Sequence, residues 1–252
     1  MSDTYGDVDG SGHVPLAISW QEAVAAWPAV RAYKQRTWAA LAGASRILDV
    51  GSGPGDDLLG LGPDRAIGVD RSAAMCARAR ERGATSIQGD AQRLPFADAS
   101  FSGTRADRTI QHLDDPGAAV AELVRVTEPG GTIVVADPDQ ATLAIDVPGV
   151  RPSVLRRLED LRREVAIKNG CWIREAPAIL ERHGADVTAV ESFALELHDP
   201  ADAFGLPTWP RHWQAVGPFT DDQLAEWDDA TAFPTPGFRY HLDFLVVIAR
   251  RR

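Results

Sequence analysis

Glycines 51, 53 and 55 follow directly on the apolar run Ile47-Leu48-Asp49-Val50. A glycine turn after a buried strand lets a ligand come close to backbone where a side chain would collide. The helix that follows adds N–H groups that its own carbonyls cannot satisfy. Asp70 lies nineteen residues after Gly51, at the end of a second apolar run, Ala66–Val69. A carboxylate there can accept from both hydroxyls of a ribose. Nicotinamide enzymes share this spacing, and a glycine turn can also serve only to pack a helix on a strand. The glycine pattern separates the cofactors. It reads GxGxG, and the third glycine of a dinucleotide loop would fall on Asp56, whose carboxylate opposes a pyrophosphate. A cofactor without phosphates fits better. A Tyr-x-x-x-Lys pair is also missing, since Tyr33 and Lys34 are adjacent.

The elements that must hold these residues alternate in type. Apolar residues recur at helical intervals from Trp20 to Leu41, a helical leader. Short strands are expected at Arg46–Val50, Ala66–Val69, Thr85–Gln88, Phe101–Ala106 and Thr132–Ala136, with helices over Ser72–Arg82 and Gly117–Thr127. This alternation implies βαβ units and a mainly parallel sheet. After Asp137 the rhythm breaks. Helices are expected at Val154–Lys168 and Ala176–Gly184 and strands at Val187–Leu197 and Phe238–Ala249. Between them, Asp199 to Gly237 carries six prolines and three tryptophans and reads as short helices and turns.

The 252 residues suffice for one substantial α/β domain. A net charge of -10 argues against a broad phosphate-binding surface. No apolar run approaches the ~18 residues that span a bilayer, and Met1 to His13 shows no secretion signal. Cys76 and Cys171 stand alone, outside any metal-binding spacing. These features predict a soluble, cytoplasmic protein acting without nucleic acid or membrane, its oligomeric state unspecified.

Five segments in order carry a resemblance. They are LDVGSGPG at 48–55, Gly68-Val69-Asp70, Gly89-Asp90-Ala91 with Leu94-Pro95-Phe96, Gln111-His112-Leu113-Asp114-Asp115-Pro116, and Leu123-Val124-Arg125-Val126 leading into Glu128-Pro129-Gly130-Gly131. Together they resemble the class I S-adenosylmethionine-dependent methyltransferases, particularly the branch that methylates quinones and small natural products. The resemblance covers residues 44–137. It implies a Rossmann-like α/β fold: a mainly parallel seven-stranded sheet, helices on both faces and a small lid insertion. It divides the chain into a flexible 1–19, a single domain over 20–252, a cofactor core at 44–137 and lid and acceptor-side elements at 138–237.

The resemblance also assigns roles. Asp49 and Gly51 line the methionine half of S-adenosylmethionine, Gly53 also binds the cofactor, Asp70 holds the ribose, and Arg71 covers adenine. Asp90 and the backbone of Ala91 meet the adenine edge. Arg105, taken to end the fourth strand, offers its carbonyl to the methionyl amine. Ser102, and the charged run Arg105-Ala106-Asp107-Arg108, depart from the family pattern. The Asn/Asp-Pro-Pro-aromatic motif of nucleic-acid and protein N-methylation is missing, which leaves a small-molecule acceptor.

A sulfonium is already an activated methyl donor, so transfer needs alignment, exclusion of water and sometimes a base. His112 is the candidate base. His112, Asp114 and Asp115 could hold a metal, but a helix cap before Pro116 accounts for the acids and no metal is expected. Trp172 and Trp213 of the tail, with Trp20 of the leader, are candidate acceptor contacts and suggest a flat, partly apolar acceptor. Arg36 is a candidate for the cofactor carboxylate. A nicotinamide oxidoreductase, a non-catalytic S-adenosylmethionine-binding regulator and another reaction such as a cyclisation stay open.

Overall fold

A computed structural model of the chain describes residues 8–11, 13–232 and 235–252. Residues 1–7 and 12 of the stretch expected to be flexible, 1–19, therefore lie outside the described residues, and from Val14 that stretch is helical. The leader forms two helices, α1 (Val14–Ala26) and α2 (Pro28–Ala40). The expected single helix breaks at Trp27, whose ψ of 135° is extended. Pro28 imposes this, because its ring clashes with a helical residue before it.

Seven strands form one sheet in the order β3-β2-β1-β4-β5-β7-β6. The strands are β1 (Ile47–Val50), β2 (Ala66–Asp70), β3 (Thr85–Gln88), β4 (Phe101–Asp107), β5 (Thr127–Asp146), β6 (Ala185–Leu197) and β7 (Arg239–Arg251). β1 to β5 pair in parallel, and β7 runs antiparallel between β5 and β6. The order reverses between β1 and β4, which opens a crevice at the carboxyl ends of those strands.

Helices cover both faces. On one, α2, α3 (Asp56–Leu61) and α4 (Ala73–Glu81) pack with Ile47, Val134 and Ala136. On the other, α5 (Pro116–Val126) and α7 (Ala176–Arg182) pack with Leu48, Val135 and Val247. The alternation of side chains along each strand assigns these two cores. Side chains of α6 (Pro152–Leu161), α8 (Trp209–His212) and α9 (Asp221–Thr231) join the α2-side core.

β5 departs most from expectation. It runs to Asp146, ten residues past the expected end. Beyond Ala136, where β4 stops, it is held by β7 through Pro138↔Phe244 and Asp139↔Asp243. The resulting wall stands above the crevice. Among the described residues, no helix is long and apolar enough to cross a membrane.

Candidate active site

The glycine turn closes β1 with left-handed residues, Gly51 at φ 72° and Gly53 at φ 50°. A Cβ on Gly51 would overlap the Thr109 side chain, so both sterics and φ require glycine there. Gly53 N donates to Asp70 Oδ2 at 2.8 Å, and Ser72 N donates to Asp70 Oδ1 at 2.9 Å. Burial raises the Asp70 carboxyl above its ordinary range, with those two N–H groups pulling the other way. Arg71 and Asp90 are exposed at the ends of β2 and β3, and Ala91 is buried beside Asp90. Six expected cofactor residues, Gly51, Gly53, Asp70, Arg71, Asp90 and Ala91, therefore gather at the ends of the first three strands. Asp9 reaches the same region: its carboxylate accepts from Ser72 Oγ and from Ala73 N at 2.8 Å.

Asp49 and Arg105 lie elsewhere. The Arg105 side chain is 1% exposed on the α2 face and donates to Asp49 Oδ1 at 2.8 Å, Asp107 Oδ2 at 2.8 Å and Thr37 Oγ1 at 3.0 Å. Asp57, at the start of α3, is 3.2 Å from the same guanidinium and also pairs with Lys34. Lys34 Nζ is in turn 3.2 Å from Asp107 Oδ2. Three carboxylates thus share two cations in a buried layer beneath the crevice. Burial is the largest influence on Asp49 and lifts its carboxyl to about 6, against the pull of Arg105. For Asp57, Arg105 and Lys34 outweigh burial and hold the carboxyl below its usual range. The expected carbonyl role of Arg105 is corrected here. β4 continues to Asp107, and Arg105 sits inside the sheet, paired with both Asp49 and Val134.

Sequence reasoning missed Asp107 and Asp137, the acids at the end of the parallel pairing between β4 and β5. Asp107 Oδ2 takes Arg105 and, at 3.3 Å, the Tyr33 hydroxyl, while its Oδ1 is buried without a partner. Asp137 Oδ2 accepts from Trp172 Nε1 at 2.8 Å, and burial pushes this carboxyl well above its ordinary value. Position was the available signal, because acids where two neighbouring parallel strands stop pairing must face the crevice mouth.

His112 is half-buried in a single 3-10 turn (Ile110–His112) directly after β4. Asp115 is the N-cap of α5, its Oδ1 accepting from Ala118 N at 3.0 Å, and Asp114 pairs with Lys168. Trp20 is half-buried against Trp27, with ring centroids 5.9 Å apart. Trp213 does not present a free face: it is buried with its ring centre 5.0 Å from that of Trp209. Arg36 is also reassigned. It pairs with Glu191 of β6, at the opposite edge of the sheet, through Nε and Nη2.

Residues 48–135 match the family described as Methyltransferase domain. The likeness to that family is confined to this segment. A 37.1 kDa protein of transposon TN4556 from Streptomyces fradiae is 38% identical over 152 residues, covering 56% of this chain and 44% of the relative. Demethylmenaquinone methyltransferase of Mycobacterium sp. (strain KMS) is 29% identical over 153 residues, covering 59% of this chain and 66% of the relative. The match thus spans less than two thirds of either relative. Among solved structures, the [4+2]-cyclase SpnF superposes with a TM-score of 0.62 at 20% identity, covering 99% of this chain and 97% of that one. At that identity the likeness speaks for the fold. The matched segment begins in β1 and stops at Val135, so Asp137 lies just outside it.

Proposed function

We propose that this chain transfers a methyl group from S-adenosylmethionine to a small-molecule acceptor. The observation that carries the reading is the charge beneath the crevice. Asp49, Asp57 and Asp107 gather round Lys34 and Arg105, with Arg108 acting on Asp57 from nearby, so carboxylates line a buried layer. Such a layer repels a pyrophosphate and attracts a sulfonium or an ammonium, since charges interact strongly where water is excluded. The Asp107 Oδ1 left without a partner suits the amine of the cofactor. Asp70 suits the ribose: backbone N–H groups fix each carboxylate oxygen, and each keeps a further acceptor site for a hydroxyl. The cofactor, when bound, supplies the activated methyl. The chain's residues orient it and shield it from water. Residues 138–237 would form the acceptor side, and His112 would serve acceptors that must lose a proton.

Calorimetry tests the reading. S-adenosylhomocysteine should bind and NADH should not. Asp70→Ala should weaken binding at least tenfold, because each hydrogen bond to a charged acceptor contributes about 1.5–3 kcal/mol. Preferential NADH binding, or unchanged affinity in a folded Asp70→Ala variant, would refute it.

A further inference from the structure

Where the pairing of β4 with β5 ends, the protein holds the carboxyls of Asp107 and Asp137 each by one oxygen. Asp137 Oδ2 accepts from Trp172 Nε1 at 2.8 Å and from Gln111 N at 3.3 Å, while Asp137 Oδ1 is buried with no hydrogen-bond partner. Gln111 Oε1 and Gln140 Oε1 share that condition. These residues are 1%, 4% and 1% exposed, respectively. Backbone bonds join them into one unit. Asn169 N donates to Gln111 O at 2.9 Å, Gln140 N donates to Gly170 O at 2.9 Å, and the same turn carries Trp172. Three buried acceptor oxygens thus belong to residues tied to one turn, at the carboxyl end of the β4–β5 pairing. A buried acceptor left unmatched forfeits its hydration, so native proteins rarely keep one without a use.

We propose that Asp137, with Gln111 and Gln140, is the acceptor-anchoring site, and that the acceptor presents hydroxyl or amine hydrogens to it. The inference rests on the methyl-transfer reading and narrows its substrate class. A flat ring without donors, such as an unsubstituted quinone, would leave all three oxygens unmatched. The tail tryptophans do not favour such a ring, because their indole N–H groups are engaged inside the protein. Trp209 Nε1 donates to Phe204 O at 3.1 Å and Trp227 Nε1 to Pro207 O at 3.0 Å. Trp172 is a positioning residue: by holding Oδ2 it leaves Oδ1 to the acceptor.

The test titrates the full chain, with and without S-adenosylhomocysteine, against three probes followed by NMR. Methyl α-glucoside offers only hydroxyls, cyclohexylamine an ammonium, and menadione a flat ring with no donor. At least one donor-bearing probe should bind tenfold more tightly than menadione. Preference for the amine would identify an ionised Asp137 in the complex, and preference for the glucoside a hydroxylated acceptor. Asp137→Asn reverses the polarity of the free position, because its oxygen must stay on Trp172 and its NH2 then faces the probe. That variant should lose donor binding about tenfold with S-adenosylhomocysteine affinity unchanged. Trp172→Phe should weaken the donor probe severalfold, again without changing S-adenosylhomocysteine affinity, and gives a second reading if Asp137→Asn folds poorly. Menadione binding as tightly as both donor probes, or donor binding untouched by both variants, would overturn the proposal. Failure of S-adenosylhomocysteine to bind would instead refute the methyl-transfer reading, and the titrations without it would still judge the site.

Discussion

Arg105→Met removes the guanidinium while keeping a long side chain in its place. In the protein that group meets Asp49 and Asp107 at 2.8 Å each and Asp57 at 3.2 Å. Its loss leaves three buried carboxylates with Lys34, which pairs directly with Asp57 and Asp107, and with Arg108 acting on Asp57 from nearby. Removing one partner of a buried charge pair costs about 3–5 kcal/mol, and we expect that loss at pH 8. The sign of the pH dependence follows from which state takes up a proton. In the folded variant an uncompensated carboxyl is pushed above pH 8, while in the unfolded chain an Asp titrates near ~3.9. Between pH 8 and pH 6 the folded variant therefore binds about one proton that the unfolded chain does not. Stability then rises by about 1.4 kcal/mol per unit of acidification, or about 2.7 kcal/mol over the interval. Asp137, raised by burial in both proteins, cancels in the difference between variant and wild type. Asp49, at about 6, adds little to the wild type because it is only half titrated at the acidic end. Urea unfolding followed by circular dichroism at both pH values measures the difference. A loss below about 1 kcal/mol at pH 8 would show that Arg105 is not the counter-ion of this layer. A large loss of equal size at pH 8 and pH 6 would show that no carboxyl is left uncompensated.

The same layer couples cofactor binding to pH. If Asp49 must be ionised to receive a cationic ligand, S-adenosylmethionine affinity should fall by up to about tenfold per pH unit below about 6 and be flat above it; calorimetry at pH 5 and 7 decides. Gly51→Ala forces a side chain into a left-handed residue and against Thr109, so it should cost about 1–3 kcal/mol in urea melts and abolish cofactor binding. With an acceptor that loses a proton on methylation, His112→Ala should lower kcat by about 10²-fold at unchanged S-adenosylmethionine affinity. An equal kcat would leave His112 a packing residue.

β1 and β2 were legible because each is a short apolar run punctuated by glycine or an acid, and the more polar β3 and β4 followed from the alternation of strands with helices. The far half of β5 was not legible. Asp137-Pro138-Asp139-Gln140 reads as a turn by composition, and it becomes strand only through β7, a hundred residues later in the chain. Its proline is tolerated for a local reason. Ala136 O faces β4, accepting from Arg108 N at 2.8 Å, so by alternation Pro138 also turns toward that side, where β4 has already ended. Within the site, the glycine turn, Asp70 and Asp90 were readable from spacing along one strand–turn–helix unit after another. Asp107, Asp137 and Gln111 were not, because their interest lies in which oxygen the protein leaves over. That is fixed by Arg105 on the same strand as Asp107 and by Tyr33 and Trp172, contributed from distant segments. Arg36 misled because a cation on a leader helix can turn either way, and Glu191 on β6 decided it.

The place of β7 also governs how the sheet can assemble. β6 is made before β7 yet touches the rest of the sheet only through it, since β7 lies between β5 and β6. Until Arg239–Arg251 inserts, β6 has no partner and the wall side of β5 is an open edge offering unpaired N–H and C=O groups. Parallel strands β1 to β5 can zip from sequential βα units, whereas this last step closes a loop of about a hundred residues and is slow by its contact order. An intermediate with a formed cofactor half and an unclosed edge is therefore expected during refolding, and it is the species most prone to pair with a second copy of itself.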